Sequence, residues 1–241
     1  MARDIDVASL MMKHFEVEFV FDDQGRILSA NHWTEGKTAK FLLGITRSRA
    51  MWAFSNELPK HVCLELEKIA KLEDFDPANS PKHIDRYQAV LSENMLSSRL
   101  ELYDSLTYWF ANDEPGDQVE GCVRITEDNQ FLLSEHFEHM LGYDGRVIKF
   151  DQPIIAQVVD NMAVAVCSSA RSIQEAHECY VLTVPAYRNQ GFATNVVRSW
   201  ANQLVQEGIL PLYNTSIDNI GAQTVAAKSG FSLYGRALRI H

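Results

Sequence analysis

Cysteine is scarce in this sequence, and the few that occur are scattered. None of the four lies in a CxxC pair; they are Cys63, Cys122, Cys167 and Cys179. A disulfide framework or a zinc ribbon needs closely spaced cysteines, so neither is supported. Positive charge is also in deficit, because 22 Lys and Arg residues stand against 32 Asp and Glu residues and the net charge is -10 at pH 7. This balance argues against a protein that binds nucleic acid through its phosphates.

Long apolar runs are missing as well. The only run near the start, residues 8–12, is shorter than the core of a signal peptide. No later segment approaches the roughly 18 uninterrupted apolar residues of a membrane span. With 46% hydrophobic and 22% charged residues, the composition is that of a globular protein with a packed core. We therefore expect a cytoplasmic protein that neither crosses nor binds membranes.

Strand and helix patterns divide the chain in two. The acidic, turn-forming residues 112–117 are the strongest break, so we predict an N-terminal α+β domain of unknown role over residues 1–117 and a second domain over 118–241. In the first domain we predict two β-hairpins, one formed by residues 15–21 and 26–30 and the other by residues 41–46 and 50–54. Two helices are predicted to follow, one from residue 59 onwards and one over residues 84–95. The second is predicted to alternate strands (121–126, 153–159, 162–167, 178–184, 211–215 and from 231) with helices (129–141, 191–207 and 219–229). This alternation predicts an α/β fold class with a mixed α+β sheet, part antiparallel and part parallel.

The most informative pattern lies where a strand runs into a helix. Residues 181–194, VLTVPAYRNQGFAT, pass from an apolar strand through a polar loop into an amphipathic helix. Unpaired N–H groups and the positive end of the helix dipole meet at such a junction. Small residues at Gly191 and Ala193 let a bulky anion approach the backbone, and Arg188 adds a positive charge. The pattern predicts a diphosphate site, although its spacing is neither that of a P-loop nor that of GxGxxG.

Two motifs in this region resemble those of the GNAT superfamily of N-acetyltransferases. The first consists of Arg188, Gly191 and Ala193, which fit the pyrophosphate loop of that family. The second is an Asn followed by a small residue, a Lys and Gly-Phe, here Asn219, Ala222, Lys228, Gly230 and Phe231. The resemblance covers about residues 118–241. It implies a GNAT-like acetyltransferase domain that moves an acetyl group from acetyl-CoA to a primary amine by direct attack on the thioester.

The resemblance also implies which residues hold acetyl-CoA, in a cleft between two splayed strands. The backbone at Leu182 and Val184 would pair with the pantetheine arm. A backbone N–H near Val184 would polarise the thioester carbonyl. The loop, the first turn of the helix and the second motif would bind the rest of the cofactor, through Arg188, Asn189, Gln190, Gly191, Phe192, Ala193, Thr194 and Asn219.

Glu178 is the candidate catalytic base. An amine must lose a proton before it attacks, because an alkylammonium group has a pKa of about 10. Strand parity puts Glu178 on the same face as Leu182 and Val184, and related enzymes often place a glutamate here.

The usual general acid of the family is a Tyr seven residues after the Asn, but this chain has Ala226 there. The alternatives are departure of the thiolate without a proton, or proton donation by Tyr180, Tyr213 or Tyr234.

Other patterns leave further alternatives open. An HxxH pattern at residues 136–139 lacks a third placed ligand, so no metal site is predicted. His177 and Cys179 share a strand face, but a buried thiol is a simpler interpretation than a nucleophile pair. Because Ala226 replaces the usual acid, a second hypothesis is a regulatory or interaction module that binds acyl-CoA. A third hypothesis is an enzyme that transfers a longer acyl group. The acidic composition favours a cationic acceptor, while the acceptor's identity and homodimer formation stay open.

Overall fold

A computed structural model describes residues 6–31, 38–94, 100–112, 116, 119–133, 135–140 and 151–241. Its α-helices are α1 (Val7–Glu18), α2 (Lys60–Ala70), α3 (Ile84–Asn94), α4 (Phe192–Gln206) and α5 (Ile220–Lys228). Its strands are β1 (Phe19–Phe21), β2 (Ile27–Ala30), β3 (Phe41–Thr46), β4 (Ala50–Phe54), β5 (Leu102–Phe110), β6 (Cys122–Arg124), β7 (Asp151–Val159), β8 (Met162–Ile173), β9 (Ala176–Thr183), β10 (Leu210–Ser216) and β11 (Phe231–Ile240). Short 3-10 helices cover Gln130–Leu132, Glu135–Met140 and Pro185–Tyr187.

The chain forms two compact units, and they are not simple halves of the sequence. The first, called here the N-terminal unit, contains Asp4–Tyr108 together with Asn214–Asn219 and Leu233–His241. The C-terminal unit contains Trp109–Tyr213 and Ile220–Ser232. The division into functional domains at residue 117 stays a prediction.

In the N-terminal unit, helices cover both faces of a sheet with the strand order β4-β3-β11-β5. β3 pairs antiparallel with both β4 and β11. A Cβ atom at Gly44 would lie 2.5 Å from Met11 Cγ, and one at Gly235 would lie 2.4 Å from Met11 Cε. These two glycines therefore let α1 pack closely on one face. The other face carries Phe41, Leu43 and Ile45, which join α2 and α3 in one apolar cluster.

A charged group lies inside this unit. The Arg239 guanidinium, on β11, donates from Nε to Glu18 Oε2 at 2.6 Å and from Nη1 to Ser105 Oγ at 2.7 Å. Asn214 Nδ2 donates to the other oxygen of the same carboxylate at 2.9 Å. Both members of the ion pair are almost completely excluded from solvent. The pair therefore links the end of α1 directly to β11.

The C-terminal unit is built on the strand order β10-β9-β8-β7-β6. Its ladders are antiparallel except for β9 with β10, which is parallel. On one face α4 is anchored by Trp200, whose Nε1 donates to Ser169 Oγ at 3.2 Å. The other face carries Val166 and Val184, which cluster with Phe137 and Met140 from the second 3-10 helix.

These elements confirm the predicted fold class, an α+β arrangement with a mixed sheet. α4, α5 and the strands on either side of them lie within a few residues of the predicted ranges. No helix among the described residues has the length and apolar character needed to cross a membrane.

One predicted strand is wrong in its first half, because residues 15–18 form the last turn of α1. The Asp6 carboxylate accepts hydrogen bonds from the N–H groups of Ala8 and Ser9 and so starts a helix at Val7. Buried Leu10, Met11 and Phe15 then follow helical spacing. This earlier start overrides the alternation that predicted a strand.

The helix predicted over residues 129–141 is also wrong. Two 3-10 helices occupy Gln130–Leu132 and Glu135–Met140, and Leu133 between them takes extended backbone angles. The side chains of residues 138 and 139, half of the HxxH pattern, lie outside the described part of the chain. So do residues 95 and 141, where two predicted helices end, and most of the acidic segment 112–117.

Candidate functional site

The pairing of β9 with β10 ends partway along both strands. Their parallel register extends from Ala176 opposite Leu210 to Glu178 opposite Leu212. β9 continues to Thr183 and remains paired with β8 along this length. The pairing thus closes one end of the gap between β9 and β10, and the gap opens toward the loop that follows β9.

Hydrogen bonding decides which backbone groups of β9 face this gap. The Val184 N–H donates to Val164 O at 2.9 Å, and the Val184 carbonyl accepts from the Tyr187 N–H at 2.9 Å. Because antiparallel partners alternate, Leu182 also exchanges its bonds with β8, and the backbone groups of Val181 and Thr183 point to the opposite edge. Arg188 Nε in fact reaches Thr183 O at 3.4 Å from that side.

The loop after β9 ends in a helix whose first turn has no side-chain cap. Asn189 and Gly191 have φ angles of 63° and 85°, which turn the chain through the left-handed region into α4. Gly191 is the N-cap and takes no side-chain hydrogen bond. Asn195 N–H to Gly191 O, at 3.1 Å, is the bond that closes the first turn. The N–H groups of Phe192, Ala193 and Thr194 therefore precede the first intrahelical donor.

Space and charge at this helix end suit an anion. A Cβ atom at Gly191 would meet nothing within 4 Å, so the approach to the first turn is open. Residues 188–191 are exposed, and Arg188 brings its guanidinium to the same loop. The helix dipole adds a partial positive charge at this end. Together these features form a site for a phosphate or diphosphate group.

Glu178 lies on β9, at the last position paired with β10. Its side chain is 8% exposed, and its Oε1 atom accepts from Arg171 Nη1 at 3.0 Å. Arg171 did not stand out in the sequence, because the contact depends on the pairing of β8 with β9. Further along the same face, burial raises the pKa of the Tyr180 hydroxyl above its usual value.

Comparison with known proteins relates this region to one family. Residues 155–236 match the family model described as GNAT acetyltransferase. This part of the chain is therefore similar to a GNAT acetyltransferase domain. A search of curated proteins finds no match to the chain.

Several solved structures resemble the chain. A GNAT-family acetyltransferase from Colwellia psychrerythraea has 14% identity and a TM-score of 0.49, covering 97% of this chain and 95% of its own. A GCN5-related N-acetyltransferase-like protein from Streptococcus suis has 13% identity and a TM-score of 0.45, covering 98% and 100%. A GNAT-family protein from Novosphingobium aromaticivorans has 15% identity and a TM-score of 0.46, covering 59% of this chain and 66% of its own.

The second of the two motifs that resemble the GNAT superfamily lies around α5. Asn219 directly precedes this helix, and its N–H donates to Ser216 O at 3.0 Å. Ala226, which stands where the GNAT pattern has a tyrosine, is completely buried, so its side chain packs inside the protein. Among the alternative acids, Tyr213 is 2% exposed and packs against Phe231, with 5.6 Å between ring centroids. No general acid is assigned.

Proposed function

We propose that the region similar to GNAT acetyltransferases binds acetyl-CoA and transfers its acetyl group to a primary amine. The observation that carries this proposal is the uncapped, open N-terminus of α4 beside Arg188, in the loop that follows β9. Anionic groups are stabilised at such helix ends by free N–H groups and by the dipole. In the GNAT family that anion is the pyrophosphate of the cofactor. The N–H groups from Asn189 to Thr194 would bind it, and Asn219 is proposed as a further contact.

The open edge of β9 would bind the pantetheine arm as an additional strand. The resemblance to the GNAT superfamily implies Leu182 and Val184 for this role. Their backbone hydrogen bonds are made to β8 and to the following turn, so we propose Val181 and Thr183 instead. An N–H group of the same edge would then polarise the thioester carbonyl. To accept the cofactor, Arg188 must leave the Thr183 carbonyl and turn toward the pyrophosphate.

Glu178 would act as the base. When bound, the thioester supplies an acyl carbon that the neutral amine attacks; the new C–N bond forms, the C–S bond breaks, and CoA leaves as a thiolate. Glu178 would accept the proton that the amine gives up, directly or through water. With Ala226 buried, the thiolate is proposed to leave unprotonated, which a thiol pKa of about 8.5 permits near neutral pH. The net charge of -10 favours a cationic acceptor and argues against nucleic acid as a partner. The lack of long apolar runs supports the further proposal of a cytoplasmic protein that does not bind membranes.

Calorimetric titration of acetyl-CoA tests the binding half of this proposal. We expect one acetyl-CoA per chain and about tenfold weaker binding for Arg188→Gln, because a charge-assisted contact to phosphate contributes roughly 1.5–3 kcal/mol, partly replaced by the amide. Arg198→Gln is the matched control. This exposed arginine of α4 binds Lys228 O at 2.6 Å and should not affect the titration. Equal weakening by both variants would show a general charge effect and contradict the assignment of Arg188.

Release of CoA in the presence of amines tests the catalytic half. We expect Glu178→Gln to keep acetyl-CoA binding within twofold and to lower kcat by about 10²-fold, because general base catalysis contributes 10²–10⁴-fold. Polyamines, aminoglycoside-like compounds and basic peptides are the first acceptors to assay. Unchanged turnover in Glu178→Gln would move the base elsewhere while leaving the enzyme class intact. Comparison of acetyl-, succinyl- and longer acyl-CoA rates would test the acyl-chain preference.

A second candidate function is an acyl-CoA-binding interaction module, favoured by the buried Ala226 in place of the usual acid. The two functions differ in a single experiment. Tight acetyl-CoA binding by the wild type, with CoA release no faster than hydrolysis for every amine tested, would support the module. CoA release that depends on an amine and on Glu178 would support the enzyme.

A further inference from the structure

An irregularity in β8 brings Arg171 to Glu178. The register runs regularly from Ala165 opposite Thr183 to Ser169 opposite Cys179, and then shifts so that Arg171 lies opposite Glu178. Without the shift, Ala170 would lie opposite Glu178, and Arg171 would face His177 on the other side of the sheet. One extra residue in β8 therefore moves the arginine to the face that carries the glutamate.

The contact made possible by this bulge is partly shielded from solvent. Arg171 Nη1 and Glu178 Oε1 are 3.0 Å apart, and the side chains are 22% and 8% exposed. At such a distance and burial a guanidinium restricts the rotamers of a carboxylate far more than water does. A bulge interrupts the regular ladder, and bulges are common where a strand re-aims a side chain toward a functional site.

We propose that Arg171 is a positioning residue for Glu178. The inference rests on the proposed function, since it gives Arg171 a role only if Glu178 acts on the acceptor amine. The guanidinium holds the carboxylate at the paired end of the β9–β10 gap, in the orientation from which it accepts the amine proton. Arg171 itself touches neither the cofactor nor the reacting atoms. Its loss should therefore affect the transfer step and leave acetyl-CoA binding unchanged.

Four variants test this role: Arg171→Met, Arg171→Lys, Glu178→Gln, and Arg171→Met with Glu178→Gln. We expect Arg171→Met to lower kcat by about tenfold or more, because misplacement of a catalytic group by about 1 Å costs up to 10²-fold. Its Kd for acetyl-CoA should stay within twofold of wild type, and Arg171→Lys should recover part of the rate. The double variant should be no slower than Glu178→Gln alone, because Arg171 acts only through Glu178.

Arg124→Met is the matched control. It removes the arginine of another ion pair of the same unit, Arg124 Nη1 with Glu207 Oε1 at 3.2 Å, and should keep wild-type turnover. Circular dichroism checks the fold of every variant. If Arg171→Met unfolds because the Glu178 carboxylate loses its guanidinium, the rate of the double variant relative to Glu178→Gln decides the question.

Wild-type kcat in folded Arg171→Met would overturn the proposal. So would a double variant clearly slower than Glu178→Gln, because a further loss of rate means that Arg171 has an independent role. Failure of the proposed function itself has a different signature. The wild type would then release no CoA with any amine, and the positioning role would be overturned with it before any variant was made.

Discussion

Acetyl-CoA binding is expected to be lost in Gly191→Glu and retained in Gly208→Glu. Both glycines flank α4 and have positive φ angles, 85° and 76°, and a Cβ atom at either would meet nothing within 4 Å. The two substitutions therefore share the backbone strain, roughly 1–2 kcal/mol, and the added charge. They differ in position, because the helix places them about 25 Å apart at 1.5 Å per residue. Only the first puts a carboxylate where the pyrophosphate is proposed to bind.

We expect the Kd of Gly191→Glu to rise by at least 10²-fold, measured by calorimetric titration, with circular dichroism confirming that the variant is folded. Gly191→Ala separates the two causes, since it carries the strain without the charge and should bind only a few times more weakly than wild type. Retained binding in Gly191→Glu would move the cofactor away from this helix end. Equal loss in Gly208→Glu would attribute the effect to stability.

The helix end at Gly191 could be predicted because its signal is local. A Gly just before an amphipathic pattern, a Pro at the end of a strand and an Arg in between are all read from neighbouring residues. The structure places α4 at Phe192–Gln206, close to the prediction. A site that depends on one loop and one helix start needs no knowledge of distant partners.

Features that depend on strand pairing could not be predicted in the same way. The backbone groups of Leu182 point toward β8 because they form hydrogen bonds with that strand. Nothing in residues 178–184 shows on which edge of β9, or in which register, β8 will pair. Arg171 reaches Glu178 only through a register shift. Near the N-terminus, Asp6 caps a helix, whereas the alternating pattern from residue 15 onwards favours a strand. The local pattern alone does not show which of the two structures residues 15–18 adopt.

Substitution of Arg239 is expected to destabilise the N-terminal unit strongly. Arg239 and Glu18 have side chains 5% and 2% exposed, so Arg239→Met leaves the carboxylate without its guanidinium in a place that water does not reach. Breaking a buried pair in this way costs about 3–5 kcal/mol. We expect the midpoint of urea unfolding, followed by circular dichroism, to fall accordingly.

The double variant Glu18→Gln with Arg239→Met tests the cause. Removing both charges leaves no buried carboxylate without its guanidinium, so this variant should be more stable than Arg239→Met alone. An exposed pair gives the matched control. Lys71 Nζ lies 2.7 Å from Glu67 Oε1 with side chains 60% and 32% exposed, and Lys71→Met should cost less than about 1 kcal/mol. If Arg239→Met behaved like Lys71→Met, the buried pair would contribute little to folding, and α1 would be held to the sheet mainly by Met11 and its apolar neighbours.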